Sequence, residues 1–64
     1  MTLENVLKVV KNTEFIVIIN IDDTILYCGL KQNVTTGCAN YSRRSKYYVK
    51  EISAGENKML VLHL

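Results

Sequence analysis

The sequence predicts an α+β fold: one N-terminal helix packed on a four-stranded antiparallel sheet of two hairpins. Three observations predict it. Leu3, Val6, Leu7 and Val10 fall at i, i+3, i+4 and i+7, a single helical stripe. Phe15-Ile16-Val17-Ile18-Ile19, with Ile21, is a short run of β-branched and aromatic residues, which favours a strand. Near the C-terminus, Leu60, Leu62 and Leu64 alternate with Met59, Val61 and His63, the period of two that a strand imposes.

Size limits what such a fold does. The chain has 64 residues, enough for one domain that buries about 60% of its unfolded surface. That excludes a dinucleotide-binding α/β fold and a (β/α) barrel, and it argues against a deep catalytic pocket. Hydrophobic residues at 48% against 22% charged place the chain among folded proteins. The net charge of +2 is too mild to demand a nucleic-acid partner.

Each element has a local reason. Thr2 caps a helix over about 3–11, with Glu4 in its first turn and Lys8 and Lys11 near its end, matching the helix dipole. Strands follow over about 14–21 and 24–30, joined at Asp22-Asp23. Residues 31–45 are expected as a polar loop. Strands at 46–53 and 58–64 form a second hairpin around Ala54-Gly55-Glu56-Asn57. Val49 and Ile52 differ in parity, which places a bulge or an early strand end near Glu51. One short helix covers only one face. Ile16, Ile18 and the second-face residues of the last strand then lack a cover, which points to a homodimer or a partner complex.

No apolar run approaches the ~20 residues of a membrane span. The N-terminal segment carries Glu4, Lys8 and Lys11 where a secretory signal is apolar, so the expected setting is the cytoplasm. Cys28 and Cys38 are then expected as free thiols. With His63 they are too few for a zinc site, and no cofactor motif is present. Arg43 and Arg44 stand close enough in sequence to Cys38 to lower its pKa. A Cys38–His63 nucleophile pair lacks an oxyanion pocket on so small a sheet.

Two stretches invite functional readings. Ile18-Ile19-Asn20-Ile21-Asp22-Asp23-Thr24 resembles the first motif of haloacid-dehalogenase-type phosphatases, an apolar strand followed by Asp-x-Asp-x-Thr. That resemblance implies a nucleophilic first aspartate, but the position holds Asn20. Asp22 and Thr24 match, and the turn reading accounts for them as solvated hairpin residues. The second stretch, Tyr41-Ser42-Arg43-Arg44-Ser45-Lys46-Tyr47-Tyr48, interleaves cations and aromatics. Such residues anchor protein contacts, pair phosphates and stack bases, or form a solvated lead into a strand.

The layout as a whole resembles the very small accessory proteins of low-GC Gram-positive bacteria and their phages. The residues that carry this are Leu3-Glu4-Asn5-Val6-Leu7-Lys8-Val9-Val10, Ile21-Asp22-Asp23-Thr24, Tyr48-Val49-Lys50-Glu51-Ile52 and Met59-Leu60-Val61-Leu62, with a richness in Ile, Asn, Lys and Tyr. The resemblance implies a phage or mobile-element origin, a place in the host cytoplasm and inhibition of a host protein or ribonucleoprotein, as anti-CRISPR proteins do. A slightly basic chain departs from the acidic surfaces of DNA mimics. The expected function is therefore a non-catalytic protein-binding module, with Tyr41, Arg43, Arg44, Lys46, Tyr47 and Tyr48 as the contact. The alternative is a small nucleic-acid-binding protein using the same residues.

Overall fold

The computed structural model describes residues 1–64. Helix α1 spans Leu3–Lys8, strand β1 Phe15–Ile19 and strand β2 Ile25–Leu30. A 3₁₀ turn at Lys31–Asn33 leads into two one-turn helices, α2 at Val34–Gly37 and α3 at Tyr41–Arg44. Strands β3 at Glu51–Ala54 and β4 at Leu60–His63 complete the chain.

The fold is α+β with an N-terminal helix, but the sheet is mixed, not wholly antiparallel. Its order is β2-β1-β4-β3. β1 pairs antiparallel with β2 and parallel with β4, while β3 pairs antiparallel with β4. Both expected hairpins exist, and the parallel β1–β4 seam joins them. Hydrophobicity explains the choice. β1 and β4 are apolar on both faces, and such strands take central positions. β3 carries Glu51 and Ser53 and goes to the edge, as does β2 with Cys28 and Gly29.

α1 covers the opposite face from the one the parity of β1 suggested. Ile16 and Ile18, expected to lack a cover, are fully buried under Leu3, Val6 and Leu7, together with Leu62 of β4. The face without a helix is formed by Phe15, Val17 and Ile19 of β1, with Val61 and His63 beside them on β4 and Cys28 opposite Val17 on β2; its neighbours bury Val17 at the centre to 7% exposure, whereas Phe15 and Cys28 are exposed.

α1 is shorter than its stripe. It ends at Lys8, and Val9 has left helical geometry at φ −98° and ψ 1°. A turn closed by Glu14 N–H to Lys11 O then delivers the chain to β1. Thr2 caps the helix, its hydroxyl accepting from Asn5 N–H at 3.4 Å.

The expected polar loop at 31–45 is largely helical. Val34, Cys38, Tyr41 and Ser45 recur at spacings of four, three and four, and all turn inward. That is a helical period hidden among polar residues. The helical path breaks at Asn40, which is left-handed at φ 55°. The expected strand at 46–53 begins only at Glu51. Tyr47 lies in a bend, and Tyr48 makes a single bridge to Thr2.

Candidate interaction surface

The segment 45–49 is tied to the start of α1. Leu3 N–H donates to Tyr47 O at 2.8 Å and Glu4 N–H to Ser45 O at 3.0 Å. Val49 N–H donates to Met1 O at 2.8 Å. Orphan amides of the first helical turn thus find acceptors in the chain itself. Part of the basic-aromatic stretch is therefore scaffold.

The six residues of that stretch divide into two groups. Tyr41 is half-buried against the core, and its hydroxyl pKa is pushed up by burial, with Glu4 and Cys38 adding to the effect. Arg44 Nη1 donates to Ala39 O at 2.7 Å, pinning the α2–α3 connection. Lys46 pairs with Glu4 at 3.1 Å. These three face inward or are already engaged. Arg43, Tyr47 and Tyr48 are exposed, Tyr48 by 75%, and Arg43 enters no ion pair. The exposed Met1 lies beside Tyr48, since Thr2 bridges it.

Cys38 is not an activated thiol. Burial raises its pKa, and the nearby Arg44 offsets this only in part. Desolvation thus outweighs the guanidinium, reversing the expectation from sequence proximity. His63 sits on the open face of β4, whereas Cys38 is in the core on the α1 side. The two do not form a pair. Cys28 is exposed on the open face, and both cysteines are free. No cluster of His, Cys, Asp and Glu gathers in a metal-binding arrangement.

The phosphatase-like motif is a hairpin turn. Asp23 N–H donates to Asn20 O at 2.9 Å, and Asp23 then turns left-handed at φ 67°. Asp22 Oδ1 accepts from Thr24 Oγ1 at 2.6 Å and from Thr24 N–H at 3.2 Å. These bonds, the side-chain one first, hold the Asp22 carboxyl below its ordinary pKa. The carboxylate is thus spent on shaping the turn.

A shallow cleft of about 330 Å³ runs between α1 and the 31–35 segment. Lys8 and Lys31 stand at its wall with Glu4 and Tyr41. Lys31 Nζ is held by Asn12 Oδ1 at 3.1 Å, and Glu4 by Lys46. Two of its three charged groups are thus engaged, and Lys8 is left without a side-chain partner.

The sequence pattern hides the sheet face that α1 leaves uncovered. Phe15 is 43% exposed and Ile25, opposite Ile19, is 65% exposed. On β1, β2 and β4 this face carries no charged side chain, the nearest being Glu51 on β3. The alternation that would have shown it was masked because β1 is apolar at every position. No helix in the chain is long and apolar enough to cross a membrane. In comparisons with protein-family models, curated proteins and solved structures, nothing matches this chain.

Proposed function

We propose that the chain is a non-catalytic protein-binding module. The observation that carries this reading is the sheet face turned away from α1: it bears no charged side chain on β1, β2 and β4, and it exposes Phe15 and Ile25 at its margins. An exposed face of that kind marks an interaction surface. Its lack of cations suits a protein partner, since nucleic-acid contacts are led by Lys and Arg on phosphates. Ile25 and Phe15 supply the exposed apolar anchors. Arg43, Tyr47 and Tyr48 are each exposed as well, and are of the residue types that dominate protein contacts. In line with the resemblance of the layout to small phage accessory proteins, the target is a host protein or ribonucleoprotein, held by stoichiometric occlusion.

The nucleic-acid reading rests on the exposure of Arg43, Tyr47 and Tyr48. It is the weaker one because Arg44 and Lys46 already have partners within the chain. Few phosphates would then be neutralised, and the salt dependence would be shallow.

The test is capture of partners from a host lysate by the tagged chain, with and without nuclease, using Ile25→Glu and Arg43→Glu variants. Loss of a discrete protein with Ile25→Glu, and its retention after nuclease, supports the module. Capture that vanishes with nuclease and with Arg43→Glu, but survives Ile25→Glu, overturns it in favour of nucleic acid.

A further inference from the structure

We infer that β3 is a self-pairing edge, through which two copies join their sheets around a two-fold axis at Ser53. β3 closes one side of the sheet and has no neighbour beyond it. Gly55 N–H donates to Met59 O at 2.7 Å. Bonded pairs in an antiparallel ladder recur every second residue. Ser53 opposite Val61 and Glu51 opposite His63 therefore turn their backbone groups toward β4. Ile52 and Ala54 turn theirs to the free edge. Lys50 N–H is bent back to His63 O at 2.7 Å, so the outward row ends at Ile52. Both outward residues are exposed, Ile52 by 50%. An apolar edge with free amides and carbonyls is a template for strand addition.

Register selects the occupant. A two-fold axis at Ser53 sets Ile52 against Ala54 of the second copy, and Ala54 against Ile52. Both outward residues then exchange backbone hydrogen bonds with the other copy. It also brings Lys50 beside Glu56 of the second copy, and Glu56 beside Lys50. Neither residue has an ion-pair partner within its own chain. Moving the axis to Ile52 leaves only one bonded pair, because Lys50 N–H points inward. Moving it to Glu51 sets two glutamates against each other. The edge is thus complementary to itself in backbone and in charge, the requirement of an isologous interface. In-plane antiparallel pairing leaves both open faces on the same side of one eight-stranded sheet. The dimer stands or falls independently of what binds that face.

The test is sedimentation equilibrium of the full chain from micromolar to millimolar concentration, with amide protection read by NMR over the same series. The expected result is a mass rising from 7.3 kDa toward twice that value, with Ile52 and Ala54 amides gaining protection together. Ala54→Pro removes an outward N–H that β4 does not use, a substitution edge strands tolerate. It should hold the chain at the monomer mass with an unchanged circular-dichroism spectrum. Lys50→Glu should weaken the dimer, and Lys50→Glu with Glu56→Lys should restore it. A monomer at every concentration overturns the proposal. So does a dimer that is indifferent to Ala54→Pro and to the charge exchange, since its interface then lies elsewhere.

Discussion

The Tyr27 ring occupies the space that a side chain at Gly37 would need. A Cβ on Gly37 would lie 2.5 Å from Tyr27 Cε1, and a Cβ on Gly29 would lie 2.8 Å from the Tyr27 hydroxyl. The hydroxyl donates to Leu30 O, which fixes the ring along its own strand. Two glycines thus let one tyrosine weld α2 to β2. Gly37→Ala is expected to destabilise the fold by about 1–3 kcal/mol, the usual cost of overpacking. A denaturant titration reads it: the midpoint should fall at constant slope. A neutral Gly37→Ala would mean that α2 swings away from Tyr27 without loss.

The two hairpins were legible because local patterns determine them. Phe15–Ile19 and Leu60–His63 declare themselves by composition, and Asp22-Asp23 marks the first turn. The parallel seam was not legible. A period of two says which residues share a face, but not which strand lies alongside. What decides that here is the contrast between apolar β4 and half-polar β3, a comparison across elements. The 31–45 segment departs from the expected polar loop for a related reason. Its inward residues Val34, Cys38, Tyr41 and Ser45 include only one strong hydrophobe, so the helical period is faint against Thr, Asn and Gly. The contact stretch was legible as a composition, but exposure divides it. Arg43 and Arg44 are neighbours in sequence, yet only one is engaged.

The β3–β4 turn places two non-glycine residues in left-handed geometry, Asn57 at φ 58° and Lys58 at φ 62°. Met59 N–H closes the turn on Glu56 O at 3.2 Å. Two consecutive left-handed residues define the type I′ turn, whose favoured pair is Asn-Gly. Asn57 suits its place, but Lys58 does not. Lys58→Gly should stabilise the protein by roughly 0.5–1 kcal/mol, the relief of left-handed strain less the added freedom of the unfolded chain. Thermal unfolding followed by circular dichroism should show a higher midpoint. An unchanged or lower midpoint would mean that Lys58 is unstrained.

The Asp22–Thr24 bonds predict a pH response confined to acid. The folded carboxyl pKa is lowered, so its contribution is complete above the ordinary value of 3.8. It is lost as pH falls through the lowered folded value. Thr24→Ala removes the side-chain bond, the largest cause of the shift. The Asp22 pKa, followed by carboxyl NMR, should rise toward 3.8 in that variant, and the hairpin's acid sensitivity should move up with it. A pKa unmoved by Thr24→Ala would assign the shift to the backbone bond alone.

The two cysteines should report the two sides of the sheet. Cys28 is exposed on the open face, whereas Cys38 is 3% exposed beneath α1 and holds its proton through burial. A thiol reagent at neutral pH should label one sulfur rapidly and the other only after unfolding. Mass spectrometry should place the fast label on Cys28. Rapid labelling of Cys38 would show that α2 opens readily from the core.

Arg43 and Arg44 should separate function from stability. Arg44 is half-buried and donates to the Ala39 backbone carbonyl across the α2–α3 connection, where Asn40 is left-handed. Removing a charged donor from such a bond typically costs about 1.5–3 kcal/mol, less here because solvent reaches the site. Arg44→Glu should therefore lower the melting temperature measurably. Arg43 is exposed and makes no ion pair, so Arg43→Glu should leave the melt within experimental error and act only on binding. Changing both at once would mix the two effects, and a loss of binding could then reflect a loosened α3. The single variants, melted and assayed side by side, keep them apart. Equal melting temperatures would mean that the Arg44–Ala39 bond holds nothing in place, and the division of the 41–48 stretch into scaffold and surface would fall with it.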